Sequence, residues 1–190
     1  MKRNKKVIEV ILILIVLIIN ICLLNLNENK NKQVKSKEIK STANFIEEVE
    51  VIKDPVVYDG MTLNELSDKL NRSLNSTLSD KGYLIASYSL EKNVDPYMAV
   101  AIMLHETGCK WNCSNLVRNC NNVGGQKGYG CGNYSYFNSL DEGIMAFIDN
   151  LSNNYINKGL TTPEEINHKY AEDSSWAKKV NKYIEDIKAQ

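Results

Sequence analysis

Asp95-Pro96-Tyr97-Met98-Ala99-Val100-Ala101-Ile102-Met103-Leu104-His105-Glu106-Thr107-Gly108 is the stretch on which the fold turns. Asp95 suits an N-cap, and Pro96 suits the first helical turn, where its missing N–H removes no intrahelical bond. From Met98 to Leu104 every residue is apolar, so the helix has no polar face and belongs in the middle of a core. Yet it ends in His105-Glu106-Thr107-Gly108, which puts a carboxyl group one turn or less past its most apolar part. A negative charge at a helix C-terminus sits against the dipole. Glu106 therefore has two readings: a solvated or lysine-paired surface group, or an acid whose proton is retained by apolar surroundings, as a general acid working near neutral pH requires.

Around this helix the pattern remains helical. Leu63, Leu66, Leu70 and Leu74 recur at three- and four-residue spacing behind Thr62 and Glu65, which have capping-box spacing. A second apolar stretch follows Gly82, from Tyr83 to Leu90, and a break at Asn93 precedes the central helix. Beyond it, Ser139 and Glu142 open a helix carrying Ile144, Phe147, Ile148 and Leu151, which Gly159 is expected to stop. Thr162-Pro163-Glu164-Glu165 opens another, and the last begins near Ser175 with Trp176, Val180, Tyr183 and Ile187. The fold class expected from these patterns is mainly α (α+β): a helical bundle around one buried helix, with a small lobe of loops or a β-hairpin.

That lobe is the region 109–138, where five glycines and seven asparagines make helix improbable. Four of the five cysteines, Cys109, Cys113, Cys120 and Cys131, fall there. Two disulfides are the simplest account for a domain outside the membrane, with the pairing open. A zinc site competes, although intervals of three, six and ten residues lack the usual paired knuckles.

The N-terminal third reads differently. Residues 1–6 are a basic stub, and 7–24 are an apolar run interrupted by Glu9 and Asn20, long enough at about 1.5 Å per residue to cross a hydrocarbon core of roughly 30 Å. Lys2, Arg3, Lys5 and Lys6 place that end in the cytoplasm and the rest outside. A cleaved signal peptide and lipidation at Cys22 are the rival readings; no small-residue cleavage pattern follows the run, and Ile21 is bulky where lipidation wants a small residue. Residues 25–60, rich in Asn, Lys and Glu, read as a flexible linker, and 61–190 as the folded domain. Charge is balanced at 23 basic against 23 acidic residues, and neither part carries a nucleic-acid footprint.

Several separated motifs resemble the bacterial glucosaminidase branch of the lysozyme-like superfamily, glycoside hydrolase family seventy-three and its relatives. Leu104-His105-Glu106-Thr107-Gly108 resembles the helix-ending Glu-Ser/Thr-Gly motif, which implies that Glu106 is the general acid. Asn121-Asn122-Val123-Gly124-Gly125 resembles the Asn-Asn-x-x-Gly loop of the cleft floor, and Tyr136-Phe137 the segment that returns to the helical core. These imply substrate-binding roles for Asn122, Gly124, Gly125 and Tyr136. Lys169-Tyr170-Ala171-Glu172-Asp173 resembles the Tyr-Ala-x-Asp stretch, which implies that Tyr170 borders the catalytic glutamate. The activity implied is endo-β-N-acetylglucosaminidase action on peptidoglycan glycan strands, with no cofactor or metal; the apolar run 7–24 would hold such an enzyme in the cell membrane.

One departure bears on mechanism: no Asp or Glu occurs between Thr107 and Leu140, where many relatives place a second carboxylate. Asp141 and Glu142 are nearest, but a helix N-terminus accounts for both. With one carboxyl group, attack by the substrate's own N-acetyl group gives glucosaminidase products, and attack by the muramic 6-hydroxyl gives the anhydro ends of a lytic transglycosylase. Two further classes stand as alternatives: a cysteine peptidase or amidase using Cys109 or Cys131 with His168, and a non-catalytic wall-binding module.

Overall fold

The computed structural model describes residues 54–190. The expected membrane segment 7–24 lies outside the described residues, as does most of the expected linker. Among the described residues no helix is long and apolar enough to cross a membrane.

The folded part begins earlier than the sequence pattern suggests. β1 (Val56–Tyr58) pairs antiparallel with β2 (Met61–Thr62), Tyr58 opposite Met61, across a two-residue turn at Asp59 and Gly60. Both turn residues have positive φ, 47° and 76°, the geometry that closes a tight hairpin. The Tyr58 hydroxyl donates to Asp95 Oδ2 at 2.8 Å, and the Tyr97 hydroxyl donates to Asp59 Oδ2 at 3.0 Å. Residues 54–60 are therefore part of the domain, because this hairpin is fastened to the start of the central helix. No periodic apolar signal announces a strand only three residues long.

α1 (Leu63–Asn71) starts from the expected box, Thr62 accepting from the Glu65 N–H while Glu65 accepts from the Thr62 N–H. α2 (Gly82–Glu91) packs against it, and α3 (Pro96–Thr107) is the central helix, capped by Asp95 on the Met98 N–H at 3.0 Å. From Pro96 to Leu104 α3 is buried on every side. Side chains of this size each contribute about 1.5–3 kcal/mol when removed from water. A 3-10 turn, Ser76–Leu78, separates α1 from α2.

The cysteine-rich region carries one helix that its composition did not predict, α4 (Asn115–Cys120), followed by a hairpin of β3 (Gly130–Cys131) and β4 (Tyr134–Ser135). The cysteines pair as neighbours in sequence, Cys109 with Cys113 and Cys120 with Cys131. All four sulfurs are thereby used, so neither the zinc site nor a cysteine nucleophile is available.

α5 (Leu140–Asn154) buries Ile144, Phe147, Ile148 and Leu151. It ends before Gly159, which instead terminates a 3-10 turn at Ile156–Lys158. α6 (Pro163–Tyr170) opens on a second capping box, Thr162 with Glu165, and α7 (Trp176–Lys188) lies along α3.

Candidate active site

Glu106 occupies the last turn of α3, and the structure holds this turn from behind. The Thr107 side chain, buried, bonds back to the Met103 carbonyl and accepts from the Cys109 N–H at 3.2 Å. Asn75 N–H donates to the Cys109 carbonyl at 3.1 Å, and the Cys109–Cys113 bond closes the segment immediately after the helix. The carboxylate thus projects from a fixed end.

The apolar enclosure expected around Glu106 is absent: the residue is exposed. Its location at the mouth of the helix, with the apolar run behind it in the core, leaves the carboxylate open to whatever lies over it. One oxygen, Oε1, accepts the indole N–H of Trp176 at 3.1 Å. The other faces Gly125, where a Cβ would stand 3.8 Å from Oε2.

Trp176, at the start of α7, is only 2% exposed and belongs to a row of rings. Tyr170 lies against one side of it, centroids 4.7 Å apart, with Tyr155 beyond at 5.7 Å. His105 meets Trp176 at 6.4 Å and Tyr183 at 6.3 Å, so it packs between these two rings. The sequence reading gave Trp176 no site role. Its apolar periodicity in α7 accounts for it as core, and nothing local shows that its one polar atom meets a residue 70 positions away.

Tyr170, at the end of α6, is brought to the site as expected. Its hydroxyl donates to the Gly124 carbonyl at a long 3.5 Å. Burial, then the nearby Glu106 carboxylate and Tyr155, push its phenol well above the ordinary tyrosine range, so it remains a neutral O–H donor.

The floor loop has a division of labour that the sequence did not reveal. Asn122 is fully buried: its amide donates to the carbonyls of Gln126 and Ser135, both at 2.9 Å, and its oxygen accepts the Gln126 N–H at 2.9 Å. It joins the loop to the β3–β4 hairpin and is not available to a ligand, which corrects the substrate-binding expectation. Gly124 lies flat on the Phe147 ring, with no room for a Cβ. Gly125, at φ +60°, takes a conformation that other residues rarely adopt and opens the space facing Glu106. Tyr136 stands 50% exposed on the lobe, its N–H bonded to the Tyr129 carbonyl at 3.0 Å.

No second carboxylate joins Glu106 from the two alternatives. Asp141 pairs with Lys81 at 2.6 Å, and Glu142 accepts from the Asn138 backbone and side-chain amides, both at 3.0 Å. Among the described residues no cluster of His, Cys, Asp or Glu has the arrangement of a metal site.

Comparison with solved structures shows the same fold in autolysin E of S. aureus. A catalytic mutant of that protein in complex with the disaccharide NAG-NAM is 19% identical, with a TM-score of 0.55 and 68% of each chain covered. Its complex with the muropeptide NAM-L-ALA-D-iGLU is 20% identical, with a TM-score of 0.56 and again 68% of each chain covered. A further autolysin E structure is 21% identical at 0.55, covering 68% of this chain and 67% of that one. No curated protein matches the sequence. Residues 82–189 match the Glucosaminidase family, described as mannosyl-glycoprotein endo-beta-N-acetylglucosaminidase, which takes in α2 through α7 together with Glu106, Gly124, Gly125, Tyr170 and Trp176. The chain belongs to the glucosaminidase family of glycosidases.

Proposed function

We propose that the chain is a membrane-anchored peptidoglycan hydrolase, an endo-β-N-acetylglucosaminidase that cuts the glycan strand with Glu106 as general acid and then general base. The observation that carries this reading is the exposed carboxylate of Glu106, one oxygen held by the Trp176 N–H and the other facing Gly125. Autolysin E, which shares the fold, is seen with a NAG-NAM disaccharide and with a muropeptide, and this supports a peptidoglycan strand as substrate. The apolar run at 7–24, with its preceding lysines and arginine, supports an anchor that leaves residues 25–190 outside the membrane.

A single carboxyl group sets the chemistry. A glycan laid over Glu106 excludes water from this otherwise open group, which enters the reaction as the acid. Its proton passes to the glycosidic oxygen as the C1–O bond breaks, and the substrate's acetamido oxygen forms the new bond to C1. Glu106, now a carboxylate, takes a proton from water as that water attacks C1, which releases the acetamido group and leaves a reducing N-acetylglucosamine end. The neutral Tyr170 hydroxyl, beside Gly124, is placed to orient the acetamido group. Gly124 and Gly125 form the floor, and Tyr136 offers a ring on the lobe.

The test is to incubate the full chain and its Glu106→Gln variant with peptidoglycan and identify the released ends by mass spectrometry. Reducing N-acetylglucosamine ends from the unaltered chain, with a rate about 10²–10⁴-fold lower in the variant, are the expected result. Anhydro-muramic ends would establish a lytic transglycosylase, equal activity in the variant would remove Glu106 from the mechanism, and binding without cleavage would leave a wall-binding module.

A further inference from the structure

A groove of about 570 Å³ runs along α7, lined among others by Lys110, Lys178, Lys179, Lys182, Tyr183 and Asp186. Asp186 bridges Lys182 at 2.8 Å and Lys110 at 3.7 Å, and Asp173 holds Lys179 at 2.7 Å. Lys178 is exposed, and no carboxylate pairs with it among the described residues. Four ammonium groups thus meet two carboxylates, with Glu185 acting on Lys182 as a third, and the groove keeps an excess of positive charge. Lys178 and Lys182 are four residues apart on α7, a like-charge spacing that weakens a helix unless an anion lies between them. The groove also has an aromatic wall, with Lys110 Nζ 5.8 Å from the Tyr183 ring centroid.

Its position relative to Glu106 gives the groove a meaning. Tyr183 lies 6.3 Å from His105, and His105 lies 6.4 Å from the Trp176 ring whose N–H holds Glu106. One row of rings therefore separates the groove from the reacting carboxylate. A chain of two to four extended residues spans about 7–14 Å, enough to run from a sugar at Glu106 across that row. An anionic substituent carried by the strand itself reaches these lysines each time the strand binds, whereas a separate polyanion would have to lie alongside the strand.

We propose that this groove takes the carboxylates of the peptide side chain borne by the glycan strand, so that the chain selects peptide-bearing over bare glycan. The proposal rests on the preceding assignment of a peptidoglycan strand to the cleft.

The experiment uses the full chain carrying Glu106→Gln, so that ligand stays intact, and measures Kd for soluble peptide-bearing glycan fragments and for the same fragments freed of their peptides. Peptide-bearing fragments are expected to bind roughly tenfold more tightly, with the preference shrinking as salt rises. Adding Lys178→Glu or Lys182→Glu should each weaken that binding roughly fivefold and leave the Kd for bare fragments unchanged. Lys158→Glu, an equal charge change at an exposed lysine outside the groove, should alter neither, and thermal melts should show all variants folded. Equal Kd values for the two fragment sets, or equal losses on both, would overturn the proposal. So would tighter binding of a phosphate-bearing wall polymer that competes with the peptide-bearing fragments. Failure of the glucosaminidase reading appears elsewhere, as absence of turnover by the chain with Glu106 intact.

Discussion

At the scale of single residues, Glu106 is conspicuous because its surroundings in sequence conflict with it. An acidic group at the C-terminus of an all-apolar helix opposes both burial and dipole, and the structure resolves the conflict with burial by turning the residue out to the surface. Trp176 fixes one of its oxygens and Tyr170 supports the indole from the side. Trp176→Phe keeps a ring in place and removes the donor. Tyr170→Phe keeps the ring and removes the hydroxyl beside Gly124. Each is expected to lower kcat on the order of tenfold with a smaller change in KM, because the first loses the hydrogen bond that positions the Glu106 carboxylate and the second the hydroxyl placed to orient the acetamido group. Steady-state kinetics on purified glycan checks this; a change confined to KM would make both residues simple binding contacts. Asn122 shows the opposite limit of reading residues from a motif. Its type and spacing suit a ligand contact, yet its whole amide is committed to backbone groups 4 and 13 residues away.

At the scale of elements, the two hairpins depend on different fastenings. Cys120–Cys131 joins the end of α4 to β3 across a separation of 11 residues. Replacing both cysteines by alanine is expected to cost about 2–3 kcal/mol, read by urea unfolding, and to lower activity by loosening the floor loop that Asn122 ties to the same hairpin. The β1–β2 hairpin is held by tyrosines instead. Burial, and then the carboxylates that they contact, Asp95 for Tyr58 and Asp59 for Tyr97, push both phenols above the ordinary range. Unfolded tyrosines ionise near about pH 10, before these folded ones do. Their contribution is therefore complete below that pH and is lost as pH rises toward the folded values. Stability is expected to fall above about pH 10 by up to roughly 1.4 kcal/mol per pH unit for the fully buried Tyr97. In Tyr97→Phe the slope of unfolding free energy against pH should be correspondingly shallower, and an unchanged slope would show that this hydroxyl is not the titrating group. The helices were legible in sequence because caps and apolar periods are local. The β1–β2 hairpin and α4 were not, since two to six residues carry too little pattern and are held by partners distant in the chain, whereas a β-hairpin was one of the readings of the glycine-rich lobe.

For the whole molecule, the proposed arrangement is an enzyme tethered to the membrane, with the spacer setting how far the cleft reaches into the wall. Deletion of residues 1–24 is expected to release the protein from washed membranes into the soluble fraction while leaving turnover of soluble glycan within about twofold, since every residue of the site lies in α2 through α7 or the loops between them. Fractionation with immunodetection reads the first part and a muropeptide assay the second. Protein that fractionates identically with and without these residues would remove the anchor from the proposal.

The sequence by itself determined the helical architecture, the buried central helix, the identity of Glu106 and Tyr170 as candidates, and the family. Each of these is written either in a local period or in a short contiguous motif. Tertiary structure decided what depends on distant groups meeting: the cysteine pairing, the start of the domain at its first hairpin, the commitment of Asn122 to the loop, and the Trp176 N–H on Glu106. It also decided the setting of Glu106. Sequence proximity to apolar residues suggested enclosure, but burial on the last turn of α3 depends on the face: Thr107 turns inward and is buried while Glu106 beside it is exposed.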